Sequence, residues 1–81
     1  MIPVAMELDL STKTPAEQLR VIRVFRDMNQ FAVAKVLGVD NSYVSLIENG
    51  YRVPDEKLRS KIEREFGIPA SSWIAQPERV A

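Results

Sequence analysis

Two short stretches with helical spacing stand almost back to back in this chain, each opened by a polar capping residue and shut by a glycine. They are NQFAVAKVLG, Asn29 to Gly38, and DNSYVSLIENG, Asp40 to Gly50. Asn29 and Asp40 are good N-caps. Gly38 supplies the left-handed backbone that ends a helix and that residues with a side chain resist. Only Val39 separates Gly38 from Asp40, so the second helix must start as soon as the first has turned its corner. Val33, Ala34 and Leu37 give the first helix its inward face, and Val44 and Ile47 do so for the second. A corner this tight commits the chain to packing helix against helix. With 81 residues there is room for one domain.

The flanking sequence extends this plan. Thr14, Pro15 and Glu17 make a capping box with proline at the first helical position, so a first helix is predicted from Pro15 to Met28. Leu19, Ile22 and Phe25 form its apolar stripe, and Arg20 and Arg23 line another side. A fourth helix begins near Asp55 and carries Leu58, Ile62 and Phe66; Gly67 closes it and Pro69 prevents its continuation. ASSWIA is a last short turn of helix that drops Trp73 and Ile74 onto the core. The fold class is therefore all-α, with five short helices. Residues 1–13 alternate apolar and other side chains through Ile2, Val4, Met6, Leu8 and Leu10. That period of two fits a short N-terminal strand for clamping or dimerisation, and a terminal arm fits equally. The organisation reads as an arm or strand over 1–13, a helical domain over 14–75 and a tail over 76–81.

Composition narrows function. There is no Cys and no His, which removes disulfides, the common zinc sets, the usual general base and the thiol nucleophile. No cofactor, metal, small-molecule substrate or enzymatic activity is expected. No apolar run approaches the roughly 20 residues that span a bilayer, and MIPVAMELDL lacks the basic start of a secretory signal; a cytoplasmic, non-membrane protein is expected. The formal net charge is zero, with 11 basic and 11 acidic residues. Between Arg20 and Arg52, however, five basic residues stand against three acids. A domain this small buries only about 60% of its unfolded surface, so a partner subunit is a natural source of stability.

Two short helices joined by a glycine-containing turn form a helix-turn-helix. The run from Leu19 to Ile74 resembles the lambda Cro/C1-type domain, the XRE family of lambda-repressor-like phage and bacterial regulators. The matching residues are Arg23, NQ at 29–30, VA at 33–34, LGV at 37–39, YVSLIENG at 43–50, Pro54 and FGI at 66–68. The resemblance implies that the third helix enters the major groove. Its outward residues would read bases: Asn41 bonding adenine, Ser42 and Ser45 permissive, Leu46 on a thymine methyl. Contacted bases leaning towards A·T are expected. It implies a phosphate-gripping rim of Asn29, Gln30, Asn49 and Arg52, with Tyr43 divided between such a contact and packing against the first helix. Glu48 sits at an unfavourable end of its helix dipole and needs a cation; the resemblance supplies Arg23 as a structural salt bridge.

The expected function is sequence-specific double-stranded DNA binding by a homodimer that acts as a repressor-like transcriptional regulator. The dimer contact is expected near Phe66 to Trp73 or at the N-terminal strand. The low basic count implies modest affinity and a shallow salt dependence. Two other readings stand beside it. Phe31, Ala32 and Val36 occupy positions that are usually polar in similar domains. Phe31 either folds back on the first helix or the N-terminal segment, or joins Val36 in a patch for a protein partner, as in an antirepressor. The same fold also serves as the antitoxin of a toxin–antitoxin pair.

Overall fold

In the computed structural model, the described residues are 13–74 and Glu78. They form four α-helices: α1 Pro15–Phe25, α2 Gln30–Leu37, α3 Asn41–Glu48 and α4 Glu56–Phe66. The fifth element is a 3₁₀ helix, Ala70–Trp73, rather than an α-helical turn. The alternating stretch with its expected strand lies outside the described residues.

Local chemistry sets the helix starts. Thr14 Oγ1 accepts from Glu17 N at 3.2 Å and Glu17 Oε1 accepts from Thr14 N at 2.9 Å, a reciprocal capping box. Asn29 Oδ1 accepts from Ala32 N at 2.8 Å, and Asp55 Oδ1 from Leu58 N at 2.9 Å. Asp40 stands at the N-cap of α3, but its side chain makes no cap bond. Its carboxylate accepts from Ser42 Oγ at 3.0 Å instead. The hydroxyl two residues on competes for the oxygen that would have reached the backbone.

The helix ends show where periodicity misleads. α1 stops at Phe25, three residues before the expected Met28. Asp27 takes a left-handed conformation, φ 57°. Asp27 N then bonds Val24 O at 3.0 Å and Met28 N bonds Arg23 O at 2.9 Å, which is a Schellman closure without glycine. The early stop leaves Phe25 exposed rather than in the core stripe. Gly50 closes α3 in the same way, with Gly50 N on Ile47 O and Tyr51 N on Leu46 O. Gly38 ends α2 at φ 73°, and Ala34 O accepts from both Gly38 N and Val39 N.

The core gathers Leu19 and Ile22 from α1, Val33, Ala34 and Leu37 from α2, Val44 and Ile47 from α3, and Ile62 and Phe66 from α4, sealed by Ile68 and Trp73. Burial of each large apolar side chain contributes roughly 1.5–3 kcal/mol. α2 and α3 make the most extensive contact between elements, and Ala34 keeps that crossing close. Ile74, expected on the core, is 75% exposed, because the 3₁₀ helix ends with only Trp73 directed inward. Arg26 ties the ends of α1 and α4 together: Nη1 donates to Glu65 O at 2.9 Å and the guanidinium lies 5.2 Å from the Phe66 ring centre. No helix among the described residues is long and apolar enough to cross a membrane.

Candidate nucleic-acid interface

The outward face of α3 is framed by two different neighbourhoods. On one flank stands Glu48, whose side chain is 0% exposed. A carboxylate buried at a helix C-terminus needs compensation. Arg23 of α1 provides it in bidentate form, Nε to Oε2 at 2.7 Å and Nη2 to Oε1 at 3.0 Å. The third Arg23 nitrogen donates to Met28 O at 3.0 Å. Gln30 Nε2 from α2 adds a bond to Oε1 at 3.2 Å. One acid thus locks three helices in register.

Arg20 lies one turn before Arg23 and joins the cluster from outside. Its Nε is 3.5 Å from Glu48 Oε1, its Nη2 donates to Asn49 Oδ1 at 3.0 Å, and its side chain is 49% exposed. Arg23 already neutralises Glu48, so Arg20 is a surplus positive charge at the edge of α3. Sequence reading placed Arg20 beside Arg23 without giving it a role. The signal was the three-residue spacing, which puts both on one helix face.

The expected rim residues are placed as follows. Asn29 caps α2 with its side-chain oxygen, and Gln30 is braced on Glu48. Asn49 is folded back, its Nδ2 donating to Ser45 O at 2.9 Å while its Oδ1 receives Arg20. Arg52 is exposed and its Nη1 donates to Tyr51 O at 2.9 Å. Asn29, Gln30, Asn49 and Arg20 therefore come together around the C-terminal end of α3 and the start of α2, and Arg52 follows in the next loop.

The reading face itself is open. Asn41, Ser42 and Leu46 are exposed and Ser45 is half-buried. No Lys or Arg belongs to α3. Tyr43 is half-buried and packs against the core. It lines a cleft of about 500 Å³ with Leu37, Gly38, Val39, Asp55, Lys57, Leu58 and Lys61.

Phe31 is 64% exposed and Val36 is 39% exposed, so Phe31 does not fold back on α1. Five residues apart, the two lie about 140° from one another around α2, so they do not share one stripe. Among the described residues there is no cluster of acids suited to a metal ion.

A helix-turn-helix family model matches residues 19–73 of the chain. Among curated proteins, the chain is similar to the cryptic phage CTXphi transcriptional repressor RstR of Vibrio cholerae, at 29% identity over 63 residues. That alignment covers 78% of this chain and 57% of the repressor, so the chain spans little more than half the length of that relative. No solved structure matches the chain.

Proposed function

Since the chain belongs to the helix-turn-helix family, we propose that it is a sequence-specific, double-stranded DNA-binding transcriptional regulator that acts as a repressor-like homodimer in the cytoplasm. The observation that carries this reading is the arrangement around α3: an uncharged, open face of Asn41, Ser42, Ser45 and Leu46 beside a positively charged edge built by Arg20, Gln30 and the start of α2. The two parts divide the work. Phosphate contacts hold and orient the protein, and base-edge contacts select the sequence. Asn41 suits adenine, Leu46 a thymine methyl, and the serines tolerate either.

Gln30 keeps one amide hydrogen for a phosphate while the other is held by Glu48. Arg20 needs only to exchange Asn49 for a phosphate oxygen, a step that leaves the Arg23–Glu48 pair intact. Asn29 has its amide nitrogen for the same purpose, and Arg52 extends the rim.

An eight-residue reading helix presents three or four side chains to bases, too few for a unique site. Two copies on half-sites about one helical turn apart would supply the rest. Phe66 and Trp73 are buried inside one protomer, so their side chains are not the dimer contact. The exposed apolar residue beside them is Ile74. Selection of bound duplexes from a random-sequence library tests the reading. The expected outcome is paired half-sites whose contacted bases lean towards A·T. An invariant G·C core contradicts the base-reading roles, and no enrichment at all contradicts DNA reading.

The exposed Phe31 favours a second reading, a protein-interaction module such as an antirepressor or an antitoxin. In either case Phe31→Ser abolishes partner binding; for an antirepressor-like module the selection returns no enriched sequence, whereas an antitoxin, which binds DNA as well as its toxin, still enriches one.

A further inference from the structure

We propose that Lys57 and Lys61 of α4, with the hydroxyl of Tyr43, form a second phosphate-binding site for duplex DNA on the strand opposite the one held by Arg20 and Gln30. This rests on the DNA-binding reading above. The angular geometry of α3 carries it. At about 100° per residue, and with Asn41 taken as zero, Ser45 falls at about 40°, Ser42 at about 100° and Leu46 at about 140°. Tyr43 falls at about 200° and Glu48 at about 340°. The base-reading residues are therefore bounded by Glu48 on one side and Tyr43 on the other. A helix lying in the major groove has a sugar–phosphate backbone along each wall, about 12 Å apart. The Glu48 flank meets one wall with Arg20 and Gln30; the Tyr43 flank meets the other.

That second flank opens on the cleft of about 500 Å³ that Lys57 and Lys61 line together with Tyr43. The lysines are four residues apart on α4 and lie on the same side of it. Neither makes an ion pair with a described residue. The acid of the cleft, Asp55, is turned into its own helix, where it accepts from Leu58 N. Lys61 Nζ lies 3.7 Å from the point where a side chain on Gly38 would begin, so the ammonium sits beside the turn that leads into α3. Two unpaired ammonium groups and a phenol at the edge of a groove-facing helix match phosphate oxygens, which accept from both kinds of donor.

The test uses the full chain, a duplex enriched by the selection, and a scrambled duplex of the same length. Lys57→Gln/Lys61→Gln is expected to make the slope of log affinity against log salt shallower by about two, while the order of preference among duplexes stays unchanged. If the double variant unfolds, Lys57→Gln alone is expected to remove about one from the slope. An unchanged slope overturns the inference. Methylphosphonate linkages placed in one strand of one half-site give a second measure. The lysine variant is expected to be insensitive to neutral linkages in one strand, and Arg20→Gln to those in the other. Sensitivity lost in the same strand for both variants overturns the two-sided grip. An unaltered chain that fails to distinguish the selected from the scrambled duplex overturns the DNA-binding reading and this site with it. Discrimination with an unchanged slope overturns this site alone.

Discussion

At the scale of single residues, Glu48 and its two arginines carry different burdens. Arg23→Ala leaves a buried carboxylate with only the long Arg20 contact and the neutral Gln30 amide, and loss of one partner of a buried pair costs about 3–5 kcal/mol. Urea unfolding is expected to show a loss of that order. Arg20→Ala removes a half-exposed charge and is expected to cost under about 1 kcal/mol in stability while weakening duplex binding at low salt. Equal destabilisation by the two variants would contradict this division. Asp40 gives a complementary case. Its side chain makes no cap bond and lies at the N-terminus of α3, where, in the proposed reading, its charge would repel phosphate. Asp40→Asn is expected to tighten duplex binding with stability unchanged within about 0.5 kcal/mol, and weaker binding in an anisotropy titration would argue that Asp40 contributes to recognition. The pairing of Arg23 with Glu48 could be inferred from the family pattern, because an acid at a helix C-terminus requires a cation. The part played by Arg20 could not, since exposure and a long contact of 3.5 Å are properties of the folded chain.

At the scale of elements, caps and glycines account for most of the helix boundaries. Thr14, Asn29 and Asp55 each act through a side-chain bond to the backbone. Asn29→Ala is therefore expected to cost about 1 kcal/mol, whereas Asp40→Ala, at the equivalent position of α3, costs a few tenths. Thermal unfolding compares the two directly, and equal losses would contradict the missing cap bond. Gly38→Ala places a side chain at φ 73° with its nearest neighbour at an ordinary 3.7 Å. Its expected cost, about 1–2 kcal/mol, comes from the backbone and not from a clash. The starts of all four α-helices and the inward faces of α2 and α3 were legible in the sequence, because caps and 3.6-residue spacing are local signals. The end of α1 was not. Asp27 adopts a conformation that its residue type rarely signals, and the apolar spacing through Phe25 suggests a longer helix.

At the scale of the whole molecule, zero net charge and a nucleic-acid role are compatible because charge is distributed by flank. The acids of the reading region are used inside the protomer, Glu48 in its buried cluster and Asp40 on Ser42. Arg20, Arg52, Lys57 and Lys61 remain near the edges of α3 and the loop after it. With the proposed α4 lysine site, the salt dependence is expected to be steeper than the basic count of residues 20–52 implies. In the sequence, Lys57, Arg59, Lys61 and Arg64 alternate with Asp55, Glu56, Glu63 and Glu65, a pattern that fits a solvated face; the cleft that gathers Tyr43, Lys57 and Lys61 exists only once α4 is packed beside the α2–α3 turn. The central claim is that an uncharged helix selects the sequence while its flanks hold the backbone. Fluorescence anisotropy of the full chain against a selected and a scrambled duplex, over a range of salt concentrations, tests this most directly. The account predicts a preference for the selected duplex of about 10³ or more, with affinity for both duplexes falling as salt rises. Equal affinity for the two duplexes at every salt concentration would contradict it and would direct attention to Phe31 as a protein-binding residue.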